Sequence, residues 1–367
     1  MFDQYMRKLR ALKTLVSSCC IYLSSLHRKK TARQQVDIVL SDARMEVYYY
    51  AILFSFLQKG YQVNLFVSLK WLAGTGKWIG SLFTHPLLHL KTGKPSGNNR
   101  IITDKKKYPY ENQCLLNSNA FHDNKPYSAT LPFPMHPDQY ASGRYKHLIK
   151  LQHPSERPIR IMFSGNVNQG AYENVVINQL FKIPNRWQIV EYLHEKLDPT
   201  QINYISNATD WQKARGGAYP NQLVMGRWEW SILDQKNLSA RVPNHDWLPT
   251  LGQSSFFMAC PGIVIPNSHN CIEAMAMGSI PILSYGNLFS PPLVDGLNCL
   301  CFTSLEELKV KIAKALAMDE DKIAEMRVNV RAFYDSHLTP DASVFKLMDI
   351  NCNRLSFYNE VPAKISV

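Results

Sequence analysis

The feature that most constrains the fold is an alternation of short apolar runs with helical stretches. "VDIVL" (36–40) reads as a buried strand, "YAILFSFLQKG" (50–60) as a helix closed by Gly60, and "YQVNLFV" (61–67) as a second strand. A strand, a helix and a second strand in this order form a unit whose strands run parallel. The chain therefore opens like a doubly wound α/β domain.

The same pattern starts again in the middle of the chain. "RPIRIMFSGN" (157–166) reads as a strand that runs into a turn of small residues, "NRWQIVEYLHEKL" (185–197) as a helix and "QINYISNA" (201–208) as a further strand. Later, "SLEELKVKIAKALAM" (304–318) places its apolar residues on one helical face. A second α/β domain follows from this repetition.

The segments between and after these patterns are less regular. Residues 71–130 are rich in Lys, Asn, Gly and Pro and show weak periodicity, and the three prolines of "LPFPMHPDQY" (131–140) predict a loop. The chain from Glu320 onward reads as helical. We therefore predict two Rossmann-like doubly wound domains with a ligand cleft between them. The predicted segments are 1–35, a basic amphipathic segment; 36–155, the N-terminal domain; 156–335, the C-terminal domain; and 336–367, a helical segment that can return to the N-terminal domain.

The first 35 residues are basic at both ends and moderately apolar over residues 14–26. Thirteen residues are too few to span a bilayer, and a signal peptide would have a stronger apolar run. Two interpretations stay open: a basic helix lying on an anionic membrane, and a solvated helix packed against the body of the protein.

Charge and cysteine content narrow the classes of partner. The net charge of +12 favours a nucleotide, a phospholipid surface or nucleic acid, but the basic residues are scattered and match no nucleic-acid-binding motif. The eight cysteines include no CxxC pair and no spacing that suits zinc. Buried, reduced thiols are therefore favoured over a disulfide framework.

The stretch "PNSHNCIEAMAMGSIPI" (266–282) carries the clearest functional signal. Asn267 and Ser268 are good N-cap residues for an almost wholly apolar helix that starts near His269 and ends at Gly278. The N-terminus of such a buried helix offers backbone N–H groups and a positive dipole end to a phosphate. Glu273, which we place in about the first turn, has a carboxylate suited to the hydroxyls of a sugar.

This unit resembles the nucleotide-sugar-binding motif of GT-B glycosyltransferases, and within them the exostosin-type family. The matching pieces are Ser268, Glu273 with Ala274, Gly278, "IPI" (280–282) and the proline-containing "NLFSPPL" (287–293), and the "FSGN" turn (163–166) resembles the opening of the donor domain. The resemblance covers residues 157–315 and implies glycosyl transfer from a nucleotide sugar. It implies no metal and no cofactor, and no DxD motif follows a strand.

One departure from the GT-B pattern bears on stereochemistry. Many retaining GT-B enzymes have two glutamates eight positions apart, of which the second is the one in "EAMA". The position of the first glutamate is Ile265 here. The resemblance therefore favours inversion, in which one in-line displacement needs a base on the acceptor hydroxyl and stabilisation of the departing phosphate.

The resemblance also implies roles for particular residues. Glu273 would hold the ribose or sugar hydroxyls of the donor, and a cation would come from the stretch between two donor-side strands. The remaining predicted donor-binding residues are Ser164, Gly165, Asn166, Asn267, Ser268, His269 and Asn270, with Lys213, Arg215 and Arg241 as candidate cations.

The base is expected from the first domain, on the loop after its first strand. Asp42 and Glu46 lie there, and an aspartate at this place can take the acceptor proton or cap the next helix. His136, in the proline-rich loop, is the rival.

The sequence therefore predicts an inverting, metal-independent glycosyltransferase that acts on a glycan or glycolipid at an anionic membrane surface. The alternatives are a retaining GT-B enzyme that lacks the first glutamate, and a nucleotide-sugar-binding protein without turnover. A cytoplasmic location on the inner membrane is expected, with the Golgi lumen as the alternative.

Overall fold

The computed structural model describes residues 34–42, 45–105, 111–117, 128–130, 133–141, 143, 157–173, 175–229, 238–263 and 265–356. Nearly all of the predicted N-terminal segment lies outside the described residues. The strands are β1 (Gln35–Val39), β2 (Gln62–Phe66), β3 (Leu88–Lys91), β4 (Arg100–Thr103), β5 (Gln113–Asn117), β6 (Ser128–Thr130), β7 (Ile159–Asn166), β8 (Ile202–Ile205), β9 (Leu223–Trp228), β10 (Ser254–Met258), β11 (Ile280–Leu283), β12 (Leu300–Cys301) and β13 (Arg354–Ser356).

Helices fill most of the connections between these strands. In chain order they are α1 (Glu46–Gln58), α2 (Leu69–Gly74), α3 (Lys77–Leu82), α4 (Pro137–Ala141), α5 (Gln169–Tyr172), α6 (Val175–Phe181), α7 (Arg186–Lys196), α8 (Ala208–Arg215), α9 (Trp247–Gly252), α10 (His269–Ala276), α11 (Leu305–Ala317), α12 (Glu320–His337) and α13 (Pro340–Met348). A short 3-10 turn spans Gly286–Leu288. Within the described ranges, no helix is long and apolar enough to cross a membrane.

The first sheet is built around β1. Its strand order is β3-β2-β1-β4-β5-β13-β6, and its pairs are parallel. The alternate β1 residues Val36 and Ile38 are fully buried, as expected for an interior strand of a parallel sheet. The chain winds from β1 through β2 to β3 on one side and continues with β4 on the other, which is the doubly wound arrangement.

The second sheet repeats this design around β7. Its order is β12-β11-β10-β7-β9-β8, again with parallel pairs. The helix expected near residue 269 is α10, and Gly278 adopts a φ of +70° just beyond it, a left-handed conformation that favours glycine at a helix end.

These two sheets form separate compact units. The first comprises the described residues up to Pro137 together with Thr339–Ser356, and the second extends from Asp138 to Leu338. The predicted fold class, two Rossmann-like doubly wound α/β domains, is confirmed by this topology.

Strands β3 to β6 lie in the part of the chain with weak periodicity, because strands of three to five residues leave little pattern. Two local predictions are wrong. The proline-rich stretch ends in α4, whose first residue is Pro137, a position where proline is compatible with a helix. The end of the chain is not wholly helical, since β13 follows α13 and inserts between β5 and β6.

The expectation of reduced thiols holds for the cysteines that the structure describes. Cys114, Cys260, Cys271, Cys299, Cys301 and Cys352 are all free, and Cys301 alone of these six is half-buried while the others are buried.

Candidate functional site

The carboxyl ends of β7 and β10 form the topological switch point of the second sheet. The chain leaves β7 towards β8 and β9 on one side and later returns to β10 on the other, so the loops after β7 and β10 separate. In open parallel sheets ligands bind in the crevice that such a separation creates. The candidate site is therefore sought among the residues that follow these two strands.

The carboxyl end of β7 supplies tightly packed polar residues. The predicted turn at 163–166 is wrong, because β7 continues to Asn166 and pairs with β9 along this stretch. The side chains of Ser164 and Asn166 are buried, and the Asn166 Oδ1 accepts a hydrogen bond of 3.1 Å from the backbone N–H of Asn168. A Cβ on Gly165 would lie 2.8 Å from the ring of Phe163, so only glycine fits there without a shift of that ring. The predicted "FSGN" residues thus lie at the switch point.

The N-terminus of α10 has no side-chain cap from its N-cap residue. Ser268 has the extended backbone of an N-cap, but its side chain makes no capping hydrogen bond, which contradicts the expected cap. Among the described residues its Oγ, like the Oδ1 of Asn267, is buried without a hydrogen-bond partner. His269 and Asn270 are half-buried at the same tip. The first backbone N–H groups of a helix are left for an external acceptor when no side chain caps them.

Tyr285 closes one side of this helix tip. Its side chain is 1% exposed, and within the described part of the chain its hydroxyl has no hydrogen-bond partner. Burial raises the pKa of this phenol well above its usual range, while the neighbouring Ser268 hydroxyl acts in the opposite direction. The two hydroxyls face each other without meeting hydrogen-bond geometry, and a buried unpaired hydroxyl is costly unless a ligand uses it.

Arg186, the first residue of α7, joins the two strand ends. Its side chain is 7% exposed; Nε donates to the carbonyl oxygen of Pro261 at 3.1 Å, and Nη1 donates to the carbonyl oxygen of Asn166 at 3.2 Å. Nη1 also donates to the Tyr172 hydroxyl at 2.9 Å, and the guanidinium lies 4.2 Å from that ring. Over the residues that the structure describes, no carboxylate pairs with Arg186.

A buried guanidinium without a carboxylate leaves positive potential at the switch point. The charge of Arg186 opposes the burial-driven rise in the pKa of Cys260 and of Tyr285, so its field reaches the α10 tip. We call the group Ser164–Asn166, Arg186, Ser268–Asn270 and Tyr285 the switch-point site. Helix dipole, buried cation and unpaired hydroxyls together suit a phosphate or diphosphate.

A cavity of about 260 Å³ opens beside this site. It is bordered by Tyr285 on the side of α10, and by Phe181 and Ile183 on the side of α7. Polar groups from Lys182, Ser284, Asn287 and Thr303 also line it. Space for a further chemical group therefore lies next to the switch-point site.

Glu273 lies close to its predicted place in α10. It is the fifth residue of the helix, at the start of the second turn. Its side chain is 1% exposed, and its Oε2 accepts a hydrogen bond of 2.5 Å from the Trp247 indole Nε1. In this conformation the carboxylate faces α9 and not an open sugar site.

The predicted cations divide between the two edges of the sheet. Arg215 ends α8, donates to Gln253 at 3.0 Å immediately before β10, and so lies at the amino edge. Lys213 is in the same helical turn and pairs with Asp210 at 3.4 Å. These two residues are removed from the site. Arg241, whose guanidinium lies 5.4 Å from the Trp228 ring at the end of β9, is at the carboxyl edge.

In the first unit the corresponding switch point lies between β1 and β4. Asp42 follows β1 there, as predicted, and its backbone N–H donates to the carboxylate of Asp104 at 2.9 Å. Asp104 also accepts from the Ser41 backbone N–H at 2.8 Å and from the Tyr49 hydroxyl at 3.0 Å. Asp104, which the sequence reading missed, therefore holds the loop that carries Asp42.

The other two predicted bases have structural contacts. The Glu46 Oε1 accepts from the backbone N–H of Trp78 at 3.0 Å and so caps α3. His136 packs edge-on against the Trp78 ring, with 5.4 Å between centroids. The structure thus brings Glu46 and His136 to the same tryptophan, and Asp42 alone lies at the switch point.

Comparisons with known proteins give fold-level similarity. No protein-family model and no curated protein matches the chain. A glycosyltransferase from Rickettsia africae is similar at 11% identity and a TM-score of 0.44, over 88% of this chain and 98% of that one. HepE from Anabaena in complex with UDP and glucose is similar at 10% identity and a TM-score of 0.40, over 86% of this chain and 98% of that one.

Acinetobacter baumannii MurG is also similar, at 12% identity and a TM-score of 0.36, over 86% of this chain and 98% of that one. The identities and TM-scores of these three structures are too low to carry an activity to this chain.

Proposed function

We propose that the chain is an inverting, metal-independent glycosyltransferase that moves a sugar from a nucleotide-sugar donor to a glycan or lipid-linked glycan. The observation that carries the proposal is the uncapped N-terminus of α10 beside the buried Arg186. Both lie at a topological switch point, where α/β proteins bind ligands. The proposed setting is the cytoplasmic face of an anionic membrane, with the basic segment 1–35 in contact with it.

The donor diphosphate is assigned to the switch-point site. Backbone N–H groups at Ser268–Asn270 would donate to its oxygens, and the unpaired hydroxyls of Ser268 and Tyr285 would gain an acceptor. The cavity beside Tyr285 offers room for a group attached to the diphosphate. Negative charge grows on the departing nucleotide phosphate as the glycosidic bond breaks, and the helix dipole with Arg186 stabilises that charge. This supplies the positive charge without a metal ion.

The reaction on this assignment is a single displacement at the anomeric carbon. The acceptor hydroxyl attacks from the face opposite the phosphate, which inverts the configuration, and a base removes its proton. Asp42 is the proposed base, because its loop is held at the switch point of the first unit by Asp104. Ile265 at the position of the additional glutamate of retaining enzymes supports inversion.

A negative charge introduced at Ser268 tests the donor site without weakening the helix. Ser268→Asp and Ser268→Asn both introduce good N-cap residues, so each should keep or raise stability by up to about 1 kcal/mol. Only the aspartate places a negative charge where the diphosphate would bind. UDP-, GDP- and CMP-sugars are screened for thermal stabilisation of the wild-type protein, and the best donor is titrated into both variants. We expect binding to be lost in Ser268→Asp and retained in Ser268→Asn.

Equal affinity of the two variants, or no response to any donor, would remove the diphosphate assignment. Slow hydrolysis of the bound donor distinguishes an enzyme from a binding protein without turnover. The anomeric configuration of the released sugar, read by NMR, tests inversion, and a retained configuration would favour the retaining alternative. Asp42→Asn should bind the donor normally and lose transfer to an acceptor.

A further inference from the structure

Two cysteines face each other at the edge of the second sheet. Cys301 ends β12 and Cys299 directly precedes this strand, and their sulfur atoms are 3.3 Å apart. Alternate residues of a strand point to the same side, which explains the approach. A disulfide needs about 2.05 Å between the sulfurs, so bond formation requires a movement of about 1.3 Å. β12 pairs on one side only and has two residues, so it is the part of the sheet least restrained against such a movement.

The surroundings make the two thiols unequal. Cys299 is fully buried, whereas Cys301 is half-buried. The hydrogen bond with Cys299 lowers the pKa of Cys301. Burial and the Asp295 carboxylate oppose this effect, whereas the Gly286 backbone N–H and Lys311 add to it. The same hydrogen bond, together with burial, raises the pKa of Cys299. Cys301 is therefore the cysteine of the pair that loses its proton more readily.

Lys311 is held in place next to this pair. Its Nζ lies 2.7 Å from the Asp295 carboxylate, whose other oxygen accepts from the Cys301 backbone N–H at 2.8 Å. Lys311 favours the thiolate of Cys301 and Asp295 opposes it. The thiolate is the form of cysteine that attacks oxidants. The buried partner thiol then stands in the position of a resolving cysteine.

The pair is coupled by packing to the switch-point site. A Cβ on Gly286 would lie only 2.8 Å from the Cys301 sulfur, so this sulfur and the backbone of Gly286 are in close contact. Gly286 directly follows Tyr285, which closes the tip of α10. Cys271, in the first turn of α10, also interacts with both Tyr285 and Cys301. A displacement of the Cys301 sulfur therefore acts on the wall of the site.

We propose that Cys299 and Cys301 form a reversible peroxide-oxidised disulfide site that weakens anion binding at the switch-point site. The Cys301 thiolate attacks one oxygen of a hydroperoxide, the O–O bond breaks, and hydroxide or alkoxide leaves, which gives a sulfenic acid. The Cys299 thiol attacks that sulfur; the S–O bond breaks, water leaves, and the S–S bond forms. Two thiols lose two electrons and the peroxide gains them. The effect on anion binding rests on the proposed function, whereas the oxidation does not.

Peptide mass spectrometry tests the oxidation on the full chain. The protein is treated with hydrogen peroxide, its remaining thiols are blocked, and it is cleaved before Asp295 and Asp319. The resulting peptide 295–318 contains Cys299 and Cys301 and no other cysteine. We expect it to become unalkylated and about 2 Da lighter than the dithiol form, and to recover both thiols after reduction. Cys299→Ser should instead leave a sulfenic acid at Cys301 that dimedone traps.

Cys271→Ser is the matched control, because it removes a neighbouring thiol and leaves the pair intact. It should still form the disulfide, and Cys301→Ser should not. Two results would overturn the oxidation site. One is a peptide that keeps both thiols in peroxide. The other is a dimedone adduct on Cys299 in Cys301→Ser together with no adduct on Cys301 in Cys299→Ser.

Inorganic pyrophosphate, titrated calorimetrically, is the probe for the coupling. We expect the oxidised protein to bind it roughly 5- to 150-fold more weakly than the reduced protein, the usual range for coupling between sites. Cys301→Ser should show the same affinity before and after peroxide. Unchanged affinity in a protein that carries the disulfide would refute the coupling. Absence of pyrophosphate binding by the reduced protein would refute the proposed function and the coupling that rests on it, while the mass measurement decides the oxidation site by itself.

Discussion

Asn185 and Ser268 occupy the same position before two helices of the second unit, but only Asn185 acts as a cap. The Asn185 side chain accepts from the backbone N–H of Gln188 at 2.9 Å, and the Gln188 side chain accepts from the Asn185 backbone at 3.0 Å. Ser268 makes no such bond. A residue type suited to capping therefore forms no cap at the tip of α10, which lies at the switch point.

This difference gives a direct prediction about stability. Asn185→Ala should lower the free energy of unfolding by about 1 kcal/mol, because a capping box is lost, whereas Ser268→Ala should change it little. Urea unfolding of both variants measures the difference. The Ser268→Ala variant should bind the donor more weakly despite its normal stability. A stability loss at Ser268 as large as that at Asn185 would show that Ser268 caps α10 after all.

Glu273 and Trp247 form the second residue-scale test. Trp247→Phe removes the indole N–H from a buried carboxylate, and a hydrogen bond to a charged group contributes about 1.5–3 kcal/mol. The edge-on contact between Trp247 and Phe257 can persist with phenylalanine. We expect the loss to shrink when Glu273→Gln is present, since the acceptor is then neutral. A double-mutant cycle on urea unfolding measures this coupling, and strict additivity would contradict it.

At the scale of elements, the sequence predicts correctly those features that a few neighbouring residues determine. Gly60 and Gly278 mark helix ends that the structure has within about a residue, because one glycine decides the local conformation. β13 could not be predicted: three residues carry no period, and this strand exists because a gap between β5 and β6 accepts it. The edge of the sheet at which a residue lies depends on the path of the whole chain and not on nearby residues. Arg215 was therefore predicted at the carboxyl edge, whereas it lies at the amino edge.

Arg100 fixes the last elements of the chain to the first sheet. This buried β4 residue donates from Nε to the Leu347 carbonyl at 3.1 Å and from Nη2 to the Asp349 carbonyl at 2.8 Å, and it also donates to the Cys352 carbonyl. Arg100→Met keeps an apolar chain of similar length but leaves these carbonyls unpaired. We expect α13 and β13 to detach more readily, at a cost of about 3 kcal/mol or more. Hydrogen exchange at Leu355 measures the detachment.

Lys59 supplies a matched control for Arg100. It also joins α13 to the first unit, through an exposed 2.7 Å ion pair with Asp341. Exposed pairs contribute about 0–1 kcal/mol, so Lys59→Met should leave the exchange rate of Leu355 within a few-fold of the wild type. Comparable acceleration in the two variants would show that charge, and not buried hydrogen bonding, retains the C-terminal elements.

At the scale of the whole molecule, the two-domain design follows from the sequence because the β-α-β pattern occurs twice. The candidate site could be predicted from the sequence only in part. The residues at 164–166 and 268–270 do lie at one switch point, since the first group ends β7 and the second follows β10, its neighbour in the sheet. Arg186 was missed because nothing in "IPNRWQIV" distinguishes a buried cation from an exposed one. Its role arises when α7 brings it between two strand ends that are 95 residues or so apart along the chain.

The distribution of charge leads to a prediction for the whole chain. Residues 1–33 contain eight of the 41 Lys and Arg but one of the 29 Asp and Glu, so they are far more basic than the remainder. Each basic residue near an anionic bilayer contributes about 1 kcal/mol, and the attraction decays within a Debye length. Arg28, Lys29 and Lys30 lie together in this segment.

Replacement of these three residues by Gln should lower affinity for phosphatidylserine vesicles by about 100-fold at low salt, because roughly 3 kcal/mol is removed. The control changes the net charge equally on the exposed surface of the second unit, with Lys196, Lys309 and Lys314 all replaced by Gln. Vesicle co-sedimentation compares both variants with the wild type over a salt series. If the two triple variants lose the same affinity, membrane attraction belongs to the overall charge of the protein, and the solvated-helix interpretation of the N-terminal segment is preferred.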